Sequence, residues 1–589
     1  MVAPSCCRLA AALLAPAWVI AGASLPLAPA LADDPAFNWS GIYIGAHAGG
    51  AIDYNDFSNP YGTTLFGDEV RSPGPLVGGQ IGFNYQFGQA VVGLQTDASW
   101  ANMQGTFTCL QPGHGVPARP PNFLGGAFGA TCQAEPDAFG TLTGRAGLAV
   151  GPQGRILLYG KGGLAWIHNN IDMAINNGQA GSFGPDNARS SSSYTQWGWT
   201  LGGGVEYALS GRWSVGLEYD YLHFGVHEVA TPQSGPFANP GFPGIAGATA
   251  PDGRPADLSQ DVHAVKLAIN YALGDRAPPS DASANDWLKK DMAAPPTPGF
   301  ETELGVRYVY AWSRFQQDLG KPPQALPVNN SRLTWRDMGA NAGEFFGRVD
   351  TPENVMLKGF IGRGRGDEGH IDDEDWGNAE GSPPTEVTGY QVTDSATTNN
   401  ISYFTLDLGY DWLRARGYKV APFIGYNYFK YGMSAFGCTL GMVVPPTPCD
   451  ADAPPRQLFL QEEDTWISWR LGTSAVLMLT PRLKLTGDVA YLPIVRFSGV
   501  DNHPLRVGEG QSTRSPARGD GTGVQLEGLV SYDVVDGLSI GVGGRYWSMS
   551  VPSGTTNFFS KGDFINQRFA TEQSAVLVQG SYQFNGPAD

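Results

Sequence analysis

Apolar and polar side chains alternate at a period of two in segment after segment of residues 41–584, and no other feature constrains the fold as strongly. Strands with this period bury one face and expose the other. In 264–273, Val265, Leu267, Ile269, Tyr271 and Leu273 share one side, and Ala264, Lys266, Ala268, Asn270 and Ala272 share the other. Phe404, Leu406, Leu408, Tyr410 and Trp412 alternate in the same way with Thr405, Asp407, Gly409 and Asp411. A soluble sandwich alternates too, so the connections must separate the cases. Tight turns at Gly88-Gln89, 151–154 and Ser210-Gly211 alternate with long, polar, Gly/Pro-rich stretches, the asymmetry of a membrane-spanning β-barrel.

Composition narrows the class further. Gly supplies 80 of 589 residues and only 16% are charged, which excludes disorder and coiled coil. Asp and Glu outnumber Lys and Arg by 55 to 37, a net charge of −18, so a nucleic-acid partner is excluded. Beyond residue 32 no apolar run reaches the ~18 residues a membrane helix needs, so membrane insertion has to be by strands.

Residues 1–32 read as an export signal. Arg8 is their one charge, 9–20 is apolar, and Ala30-Leu31-Ala32 is a small-x-small cleavage site before Asp33. Cys6 and Cys7 leave with it. Of the remaining Cys109, Cys132, Cys438 and Cys449, the simplest of three possible pairings is two local clips, Cys109–Cys132 and Cys438–Cys449, in an exported, oxidising setting.

The expected architecture is all-β, with two antiparallel transmembrane barrels. Residues 33–274 supply eight strands, near 41–53, 75–87, 90–103, 139–150, 154–168, 195–208, 212–224 and 259–273. Residues 275–299, with Pro278-Pro279 and Pro295-Pro296-Thr297-Pro298, form a periplasmic linker. Residues 300–589 supply ten strands, near 301–314, 330–348, 354–365, 399–413, 418–433, 463–479, 483–498, 521–534, 538–550 and 570–584. Closed barrels pair every backbone group inside lipid and leave no sheet edge.

The run Phe37-Asn38-Trp39-Ser40-Gly41-Ile42-Tyr43-Ile44-Gly45, with the closing 263–271 strand, resembles the small OmpA-like eight-stranded outer-membrane barrels. That resemblance implies a structural envelope barrel, and the scattered His47, His114, His168, His223, His227 and His263 form no acid/base cluster by sequence.

In the second half, Ile371-Asp372-Asp373-Glu374-Asp375-Trp376 falls on the second outer loop of the expected barrel. Gly499-Val500-Asp501-Asn502-His503 falls at the start of the fourth. With the ten-strand count, this arrangement resembles the omptin family of outer-membrane proteases, which carry Asp-x-Asp-Trp and Asp-x-His motifs at these places. The resemblance implies an endopeptidase with an outward-facing site. His503 would be the base, Asp501 would orient it, and Asp373 and Asp375 would hold the attacking water. Histidine suits the base role because imidazole titrates near neutrality. Two departures stand out: Ser313-Arg314 and Gly499 occupy positions where the family carries acids for a basic substrate, although Asp367, Glu368, Glu374 and Glu462-Glu463-Asp464 add acidic groups nearby. Tyr426-Asn427-Tyr428-Phe429-Lys430 resembles the family's lipopolysaccharide-binding stretch at Tyr426 and Lys430, with Tyr428 replacing its acid.

The expected partners are therefore outer-membrane lipid, lipopolysaccharide as lipid activator, and a peptide or protein substrate, with no further cofactor and no metal. Other readings stay open at this stage. Residues 372–375 also suit a solvated acidic loop or, with His370, a weak calcium site, and Asp501-Asn502 before Pro504 suits a turn. On those readings the protein is a non-catalytic structural or adhesive envelope protein; a passive porin formed by one large barrel is the third.

Overall fold

The computed structural model describes residues 37–585 apart from 61–68, 111–129, Gly211, and the segments 177–188, 234–252, 275–298, 321–328, 377–389, Arg416, 444–456, 505–512 and 558–563. The expected export signal, most of the expected linker and Cys449 lie outside the described residues, as does the side chain of Cys438.

Ten strands make up the first half: β1 Gly41–Phe57, β2 Glu69–Phe87, β3 Ala90–Ala101, β4 Gly105–Cys109, β5 Ala130–Ala134, β6 Ala138–Val150, β7 Ile156–Ile175, β8 Arg189–Ser210, β9 Trp213–Val229 and β10 Ala256–Ala272. Because β1 pairs with both β2 and β10, and β7 with both β6 and β8, eight of them close into a ring. The other two, β4 and β5, form a hairpin whose β5 edge rests on β7.

The second half contains β11 Glu301–Gly320, β12 Asn329–Asp350, β13 Val355–Gly366, β14 His370–Trp376, β15 Tyr390–Tyr410, β16 Leu413–Ala415, β17 Tyr418–Val443, β18 Leu458–Met478, β19 Leu483–Asn502, β20 Arg514–Val535, β21 Leu538–Asn557 and β22 Phe564–Asn585. Both β13 and β14 lie between β12 and β15, so they are halves of one interrupted strand, and β16 is a stub on β17. Ten strands therefore close the second ring, with β11 joining β22.

Alternation sorts the side chains as a membrane barrel requires. Outward-facing Ile42, Ile44, Ile81, Phe83, Leu94 and Leu142 on the first ring, and Val306, Tyr308, Leu406, Leu408, Trp469 and Leu471 on the second, are exposed and form the lipid-facing belt. Inside the first ring, Lys161 lies 2.8 Å from Glu218 and 3.0 Å from Asp220, while Lys266 lies 2.8 Å from Asp97 and 2.9 Å from Asp220. Asp97, Glu218 and Asp220 cluster as metal ligands would, but the two ammonium groups are packed among them and answer their charge. Above this network an apolar cap of Phe57, Val70, Phe107, Ile171, Met173 and Leu258 closes the outer end.

Three expectations need correction. The outer strand ends run further than expected: 315–320, 434–443, 499–502, 514–520 and 551–557 belong to strands rather than loops. Past the belt both faces turn polar, as at Gln316, Gln317 and Asp318, so the period-two signal fades while the barrel wall continues. Residues 372–375 are not a solvated loop, since they lie within β14. Finally, the expected local Cys109–Cys132 clip is present, but it ties two strands rather than a loop. Its Cα atoms are 5.8 Å apart, both cysteines are fully buried, and the bridge ties β4 to β5 inside the cap.

Candidate active site at the mouth of the second barrel

The inward face of the second ring is built in layers. Low in the barrel, Arg545 lies 2.7 Å from Glu344 and 2.6 Å from Glu527, and Arg470 lies 2.8 Å from Asp407. A cavity of about 70 Å³ among these groups is lined by Arg307, Lys358 and Asp488. Higher up, aromatic rings fill the bore: Phe497 lies 4.5 Å from Trp466, 4.3 Å from Phe569 and 6.2 Å from Phe315 between ring centroids. This floor separates the lower polar network from the mouth.

Two of the residues expected to act together do meet. Asp501 lies at the end of β19, one residue before its last, faces inward opposite Glu462 in register, and is buried. His503 follows it, with Nδ1 3.2 Å from Asp501 Oδ1. The alternation that points Trp466 into the floor also points Asp464 and Glu462 inward. Both are fully buried and lie beside each other, each acting on the other's titration. They lie beyond Trp469, where the lipid-facing belt on β18 ends. Burial pushes both carboxyl groups well above the ordinary carboxylate range, and the neighbouring Asp501 charge adds to the rise. A Cβ on Gly499 would overlap Asp464 Oδ1 and lie 3.3 Å from Glu462 Oε1, so these carboxyls occupy the space above that glycine. The run 462–464 is visible in the sequence as an acidic cluster; the pleat selects 462 and 464 for the interior and sends Glu463 outward, 3.5 Å from Lys430.

On another wall, the orientation of the Asp-x-Asp-Trp segment depends on two irregularities. Asp337 adopts φ +55 in β12, where the register against β11 shifts, and Gly369 adopts φ +127 at the break between β13 and β14. Even-numbered residues face the bore in β13, as Phe360 does against Trp547 and Arg545. Beyond the break the parity reverses. Asp373 lies opposite Leu333, an interior residue, and is half-buried on the inner side of the wall. Asp375 is two residues on, opposite Ser331, and its side chain lies outside the described residues. Asp372 and Glu374 face out, Asp372 pairing with Arg336 at 2.6 Å. His370 lies 3.3 Å from Asp394.

Tyr426 and Lys430 lie on the outward side of β17, whose alternate residues Asn427, Phe429 and Tyr431 are buried inside. Tyr426 packs 5.6 Å from Phe404 and 6.1 Å from Trp469, centroid to centroid.

Comparison with known proteins fits this architecture. Residues 16–239 match the family described as outer membrane protein beta-barrel domain. Over 211 residues the chain is 32% identical to the 31 kDa outer-membrane immunogenic protein of Brucella melitensis, an alignment spanning 34% of this chain and 78% of that one. The chain belongs to this outer-membrane β-barrel family. It is also 26% identical over 190 residues to the 22 kDa outer membrane protein of Rhizobium leguminosarum, covering 32% of this chain and 66% of that one. The second half lies beyond the residues that the family description matches. Among solved structures, the outer membrane protease OmpT from Escherichia coli is similar at 14% identity and a TM-score of 0.36, over 49% of this chain and 98% of that one. This outer-membrane barrel protein thus carries a second, larger ring beside the ring that defines its family.

Proposed function

We propose that the second barrel is a cell-surface endopeptidase. The observation that carries this reading is His503 beside the buried Asp501 at 3.2 Å, above an aromatic floor, in a mouth whose wall also carries Asp373. Asp501 would hold the imidazole so that its other nitrogen faces the mouth and accepts a proton from water. Asp373, with Asp375, would hold that water for attack on the peptide carbonyl carbon. The C–N bond then breaks as His503 returns the proton to the leaving amine. Burial raises the carboxyl pKa of Glu462 and Asp464 above the ordinary range, and Asp501 is the carboxyl that would orient His503. The outward Tyr426 and Lys430 suit a lipopolysaccharide headgroup, an aromatic surface next to a cation at the edge of the belt.

A second reading draws on the first barrel, whose interior is packed with ion pairs: the whole chain is a structural envelope protein. A peptide-library digest by the full-length refolded protein in lipopolysaccharide vesicles separates the two. Cleavage that falls at least about 100-fold in both His503→Ala and Asp373→Ala, with folding intact, supports the endopeptidase. A folded wild-type protein that cuts nothing across several pH values leaves the structural reading.

A further inference from the structure

The hairpin β4–β5 has two faces. Phe107, Cys109, Ala130 and Cys132 point into the cap of the first barrel. Thr106 and Thr108 point the other way, onto the outer wall of the second barrel above the lipid-facing belt. There Thr106 Oγ1 donates to Asp318 at 2.6 Å and accepts from Arg568 Nη1 at 2.9 Å. Thr108 Oγ1 donates to Glu374 Oε2 at 2.9 Å and accepts from Arg332 Nη1. Arg332 also lies 2.7 Å from Asp318, and Gln316 donates to the Thr106 carbonyl at 3.0 Å. Asp318, Arg332 and Glu374 are all at most 1% exposed. Two acids and two arginines balance one another here, and the threonine hydroxyls complete their hydrogen bonding. Buried charges persist only when satisfied in this way.

The place of this contact matters more than its strength. Glu374 is the outward neighbour of the inward Asp373 on β14, and Arg332 is the register partner of Glu374 on β12. The segment β14 follows the break at Gly369, so it is separated from the continuous part of its own strand. From outside, it is gripped by the first barrel.

We propose that the disulfide-tied hairpin of the first barrel is a brace that fixes β14, with Thr108 as a positioning residue for the inward Asp373; this rests on the endopeptidase reading. It gives the fusion of two barrels a physical purpose. The first ring supplies an outer support for an interrupted strand of the second, and neither Thr106 nor Thr108 needs to touch substrate.

The test uses the full-length chain in lipopolysaccharide vesicles and compares wild type with Thr108→Val and Thr108→Ser. Valine keeps the shape and removes the hydroxyl, whereas serine restores it. Amide hydrogen exchange is read over 370–376, and kcat and KM are read separately on a peptide that the wild type cleaves. In Thr108→Val, exchange in 370–376 should rise and kcat should fall about tenfold with KM within about twofold, since misplacement of a positioned group acts on the chemical step. Thr108→Ser should return both to wild type. Unchanged exchange in Thr108→Val overturns the brace. Increased exchange with unchanged kcat overturns the positioning role. If the wild type itself cleaves nothing, the endopeptidase reading fails separately, and the exchange result still supports or overturns the brace.

Discussion

At the residue scale, the paired acids Glu462 and Asp464 contribute to how this protein responds to pH. Both are fully buried at the mouth of the second barrel, and burial raises their carboxyl groups well above the ordinary values of 4.5 and 3.8. Their folded-state affinity for protons exceeds that of the unfolded chain. Their contribution to stability is therefore complete below the ordinary carboxylate range and is lost as pH rises through that range toward the raised values. The expected outcome is a heat-unfolding midpoint, followed by heat-modified electrophoretic mobility, that falls more steeply in wild type than in Glu462→Gln/Asp464→Asn as pH rises above the ordinary carboxylate range. Equal slopes would remove these two residues from the explanation.

At the scale of the element, the hairpin β4–β5 is one of the places where the two rings meet. A five-residue strand paired with another five-residue strand has little stability alone. The Cys109–Cys132 bridge closes a separation of 23 residues, and a loop of that order contributes about 3 kcal/mol by restricting the unfolded chain. Replacing both cysteines by serine should lower the unfolding midpoint and also raise amide exchange in the partner segment 370–376. A drop in the midpoint without the second effect would make the bridge a local staple of the first barrel alone. Sequence reading finds the cysteine pair but misses the hairpin. Residues 105–109 and 130–134 are too short for a periodic signal to stand out, and the partner surface that stabilises them is more than 200 residues away in the chain.

For the whole molecule the decisive property is that both bores are filled. Ion pairs of Lys161 and Lys266 with Asp97, Glu218 and Asp220 occupy the first, and the layer of Phe315, Trp466, Phe497 and Phe569 crosses the second. At eight strands a barrel interior is just wide enough for side chains to fill. In planar bilayers the protein should therefore show no steady conductance near that of an open porin. Porin-like steady conductance would refute the filled-bore structure and favour the passive-pore reading. The side walls also meet, with Ile52 of the first ring packed on Val524 and Tyr546 of the second, so the rings stand side by side.

Period two, turn spacing and the pattern of outward apolar residues were enough to determine two barrels of eight and ten strands. Each strand carries that information locally, in the alternation imposed by the pleat. The sequence also determined that Asp501 and His503 lie close together, because they are two residues apart at a strand end. The parity of β14 was a matter for tertiary structure. Whether Asp373 or its neighbours Asp372 and Glu374 face the bore depends on one shifted register near Asp337 and one break at Gly369, each of which exchanges the two faces of everything beyond it. Composition and spacing are unchanged by such a shift. The grip of Thr106 and Thr108 on that strand was likewise decided only in three dimensions, because it pairs hydroxyls in one barrel with charges in the other, across a distance in sequence that no local pattern records.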